Sequence, residues 1–368
     1  MALTPAATRR AAAEPGPSPL VDPLGMRARS RRSALLLLGL ALAVVLSLLL
    51  CLGIGPVPIS PLTTAQVLGH RLGLPVPVTW EPSIESIVWQ VRLPRVLMGA
   101  AVGACLAISG AALQAMVRNL LADPYILGVS GGASTGAAAA ILFGAGAALG
   151  EYGQPVLAFV GALGAALLVF VIARANGRVT SLRLLLSGVA VGYALSAVTS
   201  LLIFSSDSAE GSRSVMFWML GSLSLGQWNA FLAIALGAAL LGTVLLTAGA
   251  SLLDALAAGD GTAHSLGISP DRARIALLVV VSLCTAAAVA GAGAIGFVGL
   301  VVPHFARRLV GARHHLVIPA SALLGAGLLL WADVLARLVM VPRELPIGVI
   351  TAVVGAPFLL ILIRKASR

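Results

Sequence analysis

Two glycine-rich stretches carry the spacing of reactive motifs. Gly128-Val-Ser130-Gly-Gly132 fits GxSxG, the turn that lifts a nucleophilic serine above a sheet. Gly291-Ala-Gly293-Ala-Ile-Gly296 fits GxGxxG, the turn that cradles a dinucleotide pyrophosphate. Each chemistry needs a strand before the turn, and neither stretch has one. A nucleophilic serine also needs a histidine base, yet the nearest downstream histidine is His264. A dinucleotide site needs an acidic residue about 20 positions on, and none stands there. Inside apolar runs the same glycines, with Gly99, Gly103 and Gly136, read as small-xxx-small spacing, which lets helices approach closely.

The remaining reactive side chains are sparse. Of 24 basic residues one is a lysine, Lys365, and no GxxxxGK[ST] surrounds it. Such a loop needs its lysine to reach the β- and γ-phosphates, so this chain carries no ATPase of that kind. The five histidines show no HExxH, only adjacent His314 and His315. Cys51, Cys105 and Cys284 each lie in an apolar run without CxxC spacing, which suits small buried hydrophobes. No catalytic residue, metal site or cofactor is therefore expected on this chain. Asp333 and Arg337 stand four apart, so on a helix they share a face and can pair. Gln114, Asn119, Thr180 and Ser181 fall near the ends of apolar runs. They either line a path or satisfy helix-end backbone, and the pattern alone leaves both readings open.

The elements that must hold these residues are membrane helices. Of 368 residues 59% are hydrophobic and 10% charged, against about 45–50% and about 25% in a soluble domain. That excludes a soluble enzyme and a disordered chain. It also takes the net charge of +11 away from nucleic-acid binding, because the arginines sit between apolar runs. Residues 1–32, rich in Ala, Pro and Arg, read as a disordered tail. The run 34–54 is long enough for a retained first span. Further spans are expected near 94–116, 126–148, 155–174, 183–204, 229–249, 273–292, 294–309, 317–339 and 346–363, with a bend or broken helix where glycines crowd between 291 and 299.

Ten spans place eighteen of the 24 basic residues on one side, with both termini. Positive charge marks the cytoplasmic side, so both termini are expected there. Trp80, Trp89, Trp218 and Trp228 then fall at the outer interface, which suits indole rings. Two segments leave the bilayer: 55–91 outside and 250–272 inside. The inner one carries Leu252, Leu253, Leu256 and Leu266, so it either docks a soluble partner or lies on the membrane surface.

Several motifs then occur in a recognisable order. They include Arg92-Leu-Pro-Arg95-Val-Leu, Gly110-Ala-Ala-Leu-Gln114, Asn119-Leu-Leu-Ala-Asp123-Pro124 and Leu127-Gly-Val-Ser130-Gly-Gly-Ala133. Downstream come Leu184-Leu-Leu-Ser-Gly188, Ala263-His-Ser-Leu266-Gly267, Ile295-Gly-Phe-Val-Gly-Leu300, Pro303-His304, Ala332-Asp333 with Arg337, and Glu344-Leu-Pro346-Ile-Gly348. From about residue 58 to 364 the chain resembles the permease subunits of FecCD-like, type II ABC importers of iron-siderophores, cobalamin or haem. The resemblance implies an all-α integral membrane fold of ten transmembrane helices, in a permease domain over 33–368. It implies a second permease subunit, identical or paralogous, two cytoplasmic ABC ATPase subunits that bind the ATP, and an extracytoplasmic substrate-binding protein. It implies residence in the inner membrane.

Residue roles follow from the same resemblance. Arg92, Arg95 and Arg337 match positions that dock the binding protein. Asp260, Ala263, Leu266 and Gly267 match the ATPase-coupling motif, with Asp260 where a Glu is commoner. Asn119, Leu121, Thr180 and Ser181 match a cytoplasmic gate, although Leu120 replaces the proline of an Asn-Pro-Leu turn and Leu182 stands where a third small polar residue can. A ferric-siderophore importer is the expected function, with cobalamin or haem import as the nearest alternative. An ion-coupled secondary transporter is the alternative of another class, but no acidic residue stands at the middle of a span, where such carriers hold their ions.

Overall fold

A computed structural model describes residues 26–174 and 179–366 of the chain. Among the described residues the fold is entirely helical. The helices are α1 (Met26–Gly53), α2 (Pro61–Arg71), α3 (Pro82–Ser86), α4 (Leu93–Val117), α5 (Val129–Phe143), α6 (Gly153–Ala173), α7 (Ser181–Phe204), α8 (Ala209–Met219), α9 (Ala230–Ala248), α10 (Ala250–Ala258), α11 (Asp260–Ser265), α12 (Pro270–Ala292), α13 (Val298–Val310), α14 (His314–Leu338) and α15 (Ile347–Ala366). The ten expected spans coincide with α1, α4–α7, α9 and α12–α15. Seven helical stretches are long and apolar enough to cross a membrane by length and composition alone, whereas α5 and the Ile347–Ile361 stretch of α15 are shorter apolar segments and α13 has only 13 residues.

One boundary differs from expectation, and one expected break is confirmed. α1 begins at Met26, so the last residues of the expected tail are helical. Arginine is a good helix former, and the helix extends through the basic flank before the apolar run starts. Residues 1–25 of that tail, Arg178 of an expected inner loop and Arg368 lie outside the described residues. The seventh and eighth spans are separated by a real break, from Gly293 to Phe297.

Backbone freed by such a break has no water to bond within a bilayer and must find protein partners. The Tyr125 hydroxyl supplies two: it accepts from the Ile295 N–H at 2.8 Å and donates to the Ile295 carbonyl at 3.1 Å. The Ala292 carbonyl accepts from the Ser222 N–H at 2.8 Å.

α4 is the centre of the bundle, and every residue from Ala101 to Val117 is buried. Its Ala- and Gly-rich sequence lets α9, α12, α13 and α14 close around it, as small residues do in membranes. At the crossing with α14, a Cβ on Gly103 would collide with the Gly325 carbonyl, and one on Gly325 with the Gly103 carbonyl. Gly132 of the GxSxG stretch performs the same service between α5 and α6, against Gly161. α1 lies at the periphery, packed mainly on α14.

Candidate functional site

At one end of the bundle, α10 and α11 form a helix pair between α9 and α12, turning at Gly259 with φ 113°. Leu253, Leu256 and Ala263 are fully buried and Leu252 packs against the core, while Leu266 is 64% exposed at the tip. The four leucines, read from sequence as facing either a soluble partner or the membrane surface, therefore divide. Three of them seat the pair on its own bundle, and Leu266 alone is presented outward. Gly267, in the left-handed region at φ 76°, ends α11.

Two carboxylates anchor the pair. Asp254 of α10 lies 2.6 Å from His314 Nδ1 and accepts from the His314 backbone N–H at 3.1 Å, at the start of α14. Asp260 of α11 accepts from Arg274 of α12, at 2.6 Å to Oδ1 and 3.2 Å to Oδ2. The hydrogen bonds from Arg274 hold the Asp260 carboxyl below its ordinary value, with burial working against them.

The expected gate residues come together at the same end, where α4 stops and α7 starts. Arg118 ends α4 in the left-handed region, φ 53°. The Asn119 side chain then accepts from the Leu121 N–H at 2.9 Å, and the Asn119 carbonyl from the Ala122 N–H at 3.1 Å. This side-chain turn holds the bend that a proline would otherwise preset. Leu121 is exposed. Thr180 caps α7 by accepting from the Arg183 N–H, and Ser181 Oγ donates to the Met116 carbonyl at 3.2 Å. Asn119, Thr180 and Ser181 thus satisfy helix-end backbone.

Gln114, buried in α4, does more: Nε2 lies 3.3 Å from the carbonyls of Ala122, Gly299 and Leu300, and Oε1 accepts from Arg307 at 2.6 Å. Sequence reasoning missed Arg274, which is 1% exposed. Besides Asp260 it reaches the Val179 carbonyl at 3.0 Å, Ser181 Oγ at 3.4 Å and the Met116 carbonyl at 3.5 Å. Its only sequence signal is Asp271 three residues earlier, which puts both on one face of α12.

Beside the gate residues a cleft of about 610 Å³ opens between α5, α7, α13 and α15. Asp123, Tyr125, Ser130, Tyr193 and Ser196 supply its polar groups, and small residues such as Gly131 and Gly192 widen it. Burial pushes the Asp123 carboxyl up to about 6, against the pull of the Tyr125 N–H that it accepts. Among the described residues no three His, Cys, Asp or Glu side chains group to hold a metal.

At the opposite end, two of the three arginines expected to dock a binding protein are buried. Arg92 is 5% exposed and donates to the carbonyls of Leu52 at 2.8 Å, Gly53 at 3.1 Å and Val57. Arg337 is 4% exposed, donates to Ile54 at 2.8 Å and Cys51 at 3.4 Å, and pairs with Asp333 at 3.0 Å. Both donate to carbonyls at and just beyond the C-terminal end of α1, where a helix leaves its last carbonyls without intrahelical partners. Arg95 bridges Asp333 at 2.9 Å and Glu344 at 2.9 Å, the latter on the surface.

Residues 39–365 match the model of the FecCD transport family. The chain belongs to that family. It is 46% identical over 310 residues to the cobalamin import system permease protein BtuC of Halobacterium salinarum, covering 84% of this chain and 80% of that protein. It is 41% identical over 288 residues to the Fe(3+)-citrate import system permease protein YfmD of Bacillus subtilis, covering 78% and 84%. A solved transporter described as of metal-chelate ABC type, in an inward-facing conformation, superposes with a TM-score of 0.76 at 34% identity over 90% of this chain and 99% of that one. As a FecCD permease the chain has the type II ABC importer fold, works in a membrane and moves a solute; its buried polar residues brace helices.

Proposed function

We propose that this FecCD permease is the transmembrane subunit of an ATP-driven importer of ferric-siderophore complexes. The α10–α11 pair carries the reading: a helix pair outside the spans, anchored by Asp254 and Asp260, that offers Leu266 and little other apolar surface. Such an element suits the cleft of a cytoplasmic ABC ATPase, two of which would supply the ATP hydrolysis this chain lacks. Both termini then face the cytoplasm. The cleft beside α7 is open to the outside of the bundle, so a second permease subunit facing it would complete a path. Few charges line it, which suits a bulky chelate that must leave as well as enter. An extracytoplasmic binding protein docks at the opposite end, where Arg95 and Glu344 reach the surface.

Uptake into proteoliposomes holding the permease, its ATPase and its binding protein tests the reading. Radiolabelled ferric siderophores, cobalamin and haem are offered in parallel. ATP-dependent accumulation of a ferric siderophore is the expected result. Exclusive uptake of cobalamin or haem would move the chain to another branch of the family. Uptake driven by an ion gradient without ATP would refute the importer mechanism.

A further inference from the structure

The first turns of α12 make contacts that the spans do not need for burial alone. Asp271 and Arg274 lie three residues apart and so share a face. Together they grip one residue at the entry to α7 by both of its backbone polar groups. The Val179 N–H donates to Asp271 Oδ1 at 3.2 Å, and the Val179 carbonyl accepts from Arg274 Nη1 at 3.0 Å. The same guanidinium reaches Ser181 Oγ at 3.4 Å and the Met116 carbonyl at 3.5 Å. Its remaining hydrogen bonds go to Asp260, the first residue of α11. One side chain therefore touches α11, the end of α4 and the start of α7 at once.

We infer that Arg274, braced by Asp271, is the strut that carries movement of the α10–α11 pair to the ends of α4 and α7. It is a positioning residue and touches no cargo. The physical reason is that a buried cation cannot be parted cheaply from its counter-charge. Asp260 is the carboxylate hydrogen-bonded to Arg274. When α11 shifts, the guanidinium follows it or stays buried without that carboxylate. Because the guanidinium also holds Val179, Ser181 and Met116, the displacement reaches both helix ends beside the cleft. Arginine suits this role and lysine does not: its planar fork offers five fixed donors, where an ammonium offers one point charge. Asp254 and His314 tie α10 to α14 without reaching α4 or α7, so the strut runs through α11.

The inference rests on the reading of α10–α11 as the ATPase-coupling element. Its test uses the complete transporter, permease with ATPase and binding protein, in proteoliposomes with a radiolabelled ferric siderophore. ATP hydrolysed and chelate accumulated are both measured per assembled complex. Arg274→Lys keeps the charge and loses the span, while Asp271→Asn keeps the shape and weakens the brace. Expected for both is near-normal hydrolysis with uptake per ATP reduced about 5- to 150-fold, the range of ordinary coupling between sites. Uptake per ATP unchanged from wild type in both assembled variants overturns the strut, including where hydrolysis and uptake fall in step. Should Arg274→Lys fail to assemble, Asp271→Asn alone decides. Gly164→Ala in α6, which meets nothing within 4 Å, should leave uptake per ATP near wild type; a fall as large as in Arg274→Lys also overturns the assignment. Wild-type uptake that proceeds without the ATPase sinks the parent reading instead, and is recognised before any variant is compared.

Discussion

Replacing Arg337 with leucine separates a structural arginine from a docking one. The substitution roughly keeps side-chain bulk and removes the two hydrogen bonds to the Ile54 and Cys51 carbonyls. Hydrogen bonds from a charged donor contribute about 1.5–3 kcal/mol each. Asp333 keeps Arg95 as a partner, so the penalty of a stranded carboxylate is partly avoided. The net loss is about 3 kcal/mol, focused on the C-terminal end of α1, which Arg92 continues to hold in part. At 1.4 kcal/mol per factor of ten, local opening there becomes about 100-fold more frequent. Hydrogen–deuterium exchange on the purified permease reads this at the amides of Ile54 and Ile59, whose acceptors are Leu50 and Gly53. Expected is about 100-fold faster exchange at these amides, with α4 unchanged. Unchanged exchange there, together with weakened capture of the binding protein, would refute the capping role and restore Arg337 to docking.

Two further outcomes follow from the packing and the charges. Gly103→Val pushes a Cβ into the Gly325 carbonyl, a backbone atom that cannot rotate away; overpacking of this kind costs about 1–3 kcal/mol. The fraction of permease still monodisperse after heating should fall sharply, whereas Gly164→Ala, which meets nothing within 4 Å, should leave it unchanged or higher. Asp123 has its folded value raised to about 6 from an ordinary 3.8. Between those values the folded state holds a proton that the unfolded chain does not. Stability should therefore rise as pH falls from 7 towards 4, and Asp123→Asn should flatten that part of the thermal-midpoint profile. An equal slope in both proteins would show that another group titrates.

The span pattern was legible because lipid leaves the backbone no partner but itself, so each crossing must be a long apolar helix. The break after α12 was legible too, since Gly291, Gly293 and Gly296 weaken a helix without supplying a charged loop. Which charge meets which backbone group was not. Periodicity says that residues share a face, and it is silent on what covers that face. Leu253 and Leu256 therefore read as a face for a partner or for the membrane surface until the bundle took them. Arg92 and Arg337 matched a docking pattern by motif, yet the nearest unpaired acceptors were the last carbonyls of α1, distant in sequence. Arg274 was hidden by its company: beside Arg272 it counted as one more basic flank, and only the fold brings Val179 and Met116 to it.

The burial of α4 from Ala101 to Val117 has a consequence for how the chain is made. α4 leaves the ribosome early, but the helix that covers its Gly103 notch is α14, some two hundred residues later. At 5–20 residues per second that interval is roughly 10–45 s. For that time a helix built for close contact faces lipid or the insertion machinery with its notch unfilled. A chain that terminates before α14 keeps that notch open permanently. Membrane quality control thus has a physical mark by which to tell an unfinished permease from a finished one.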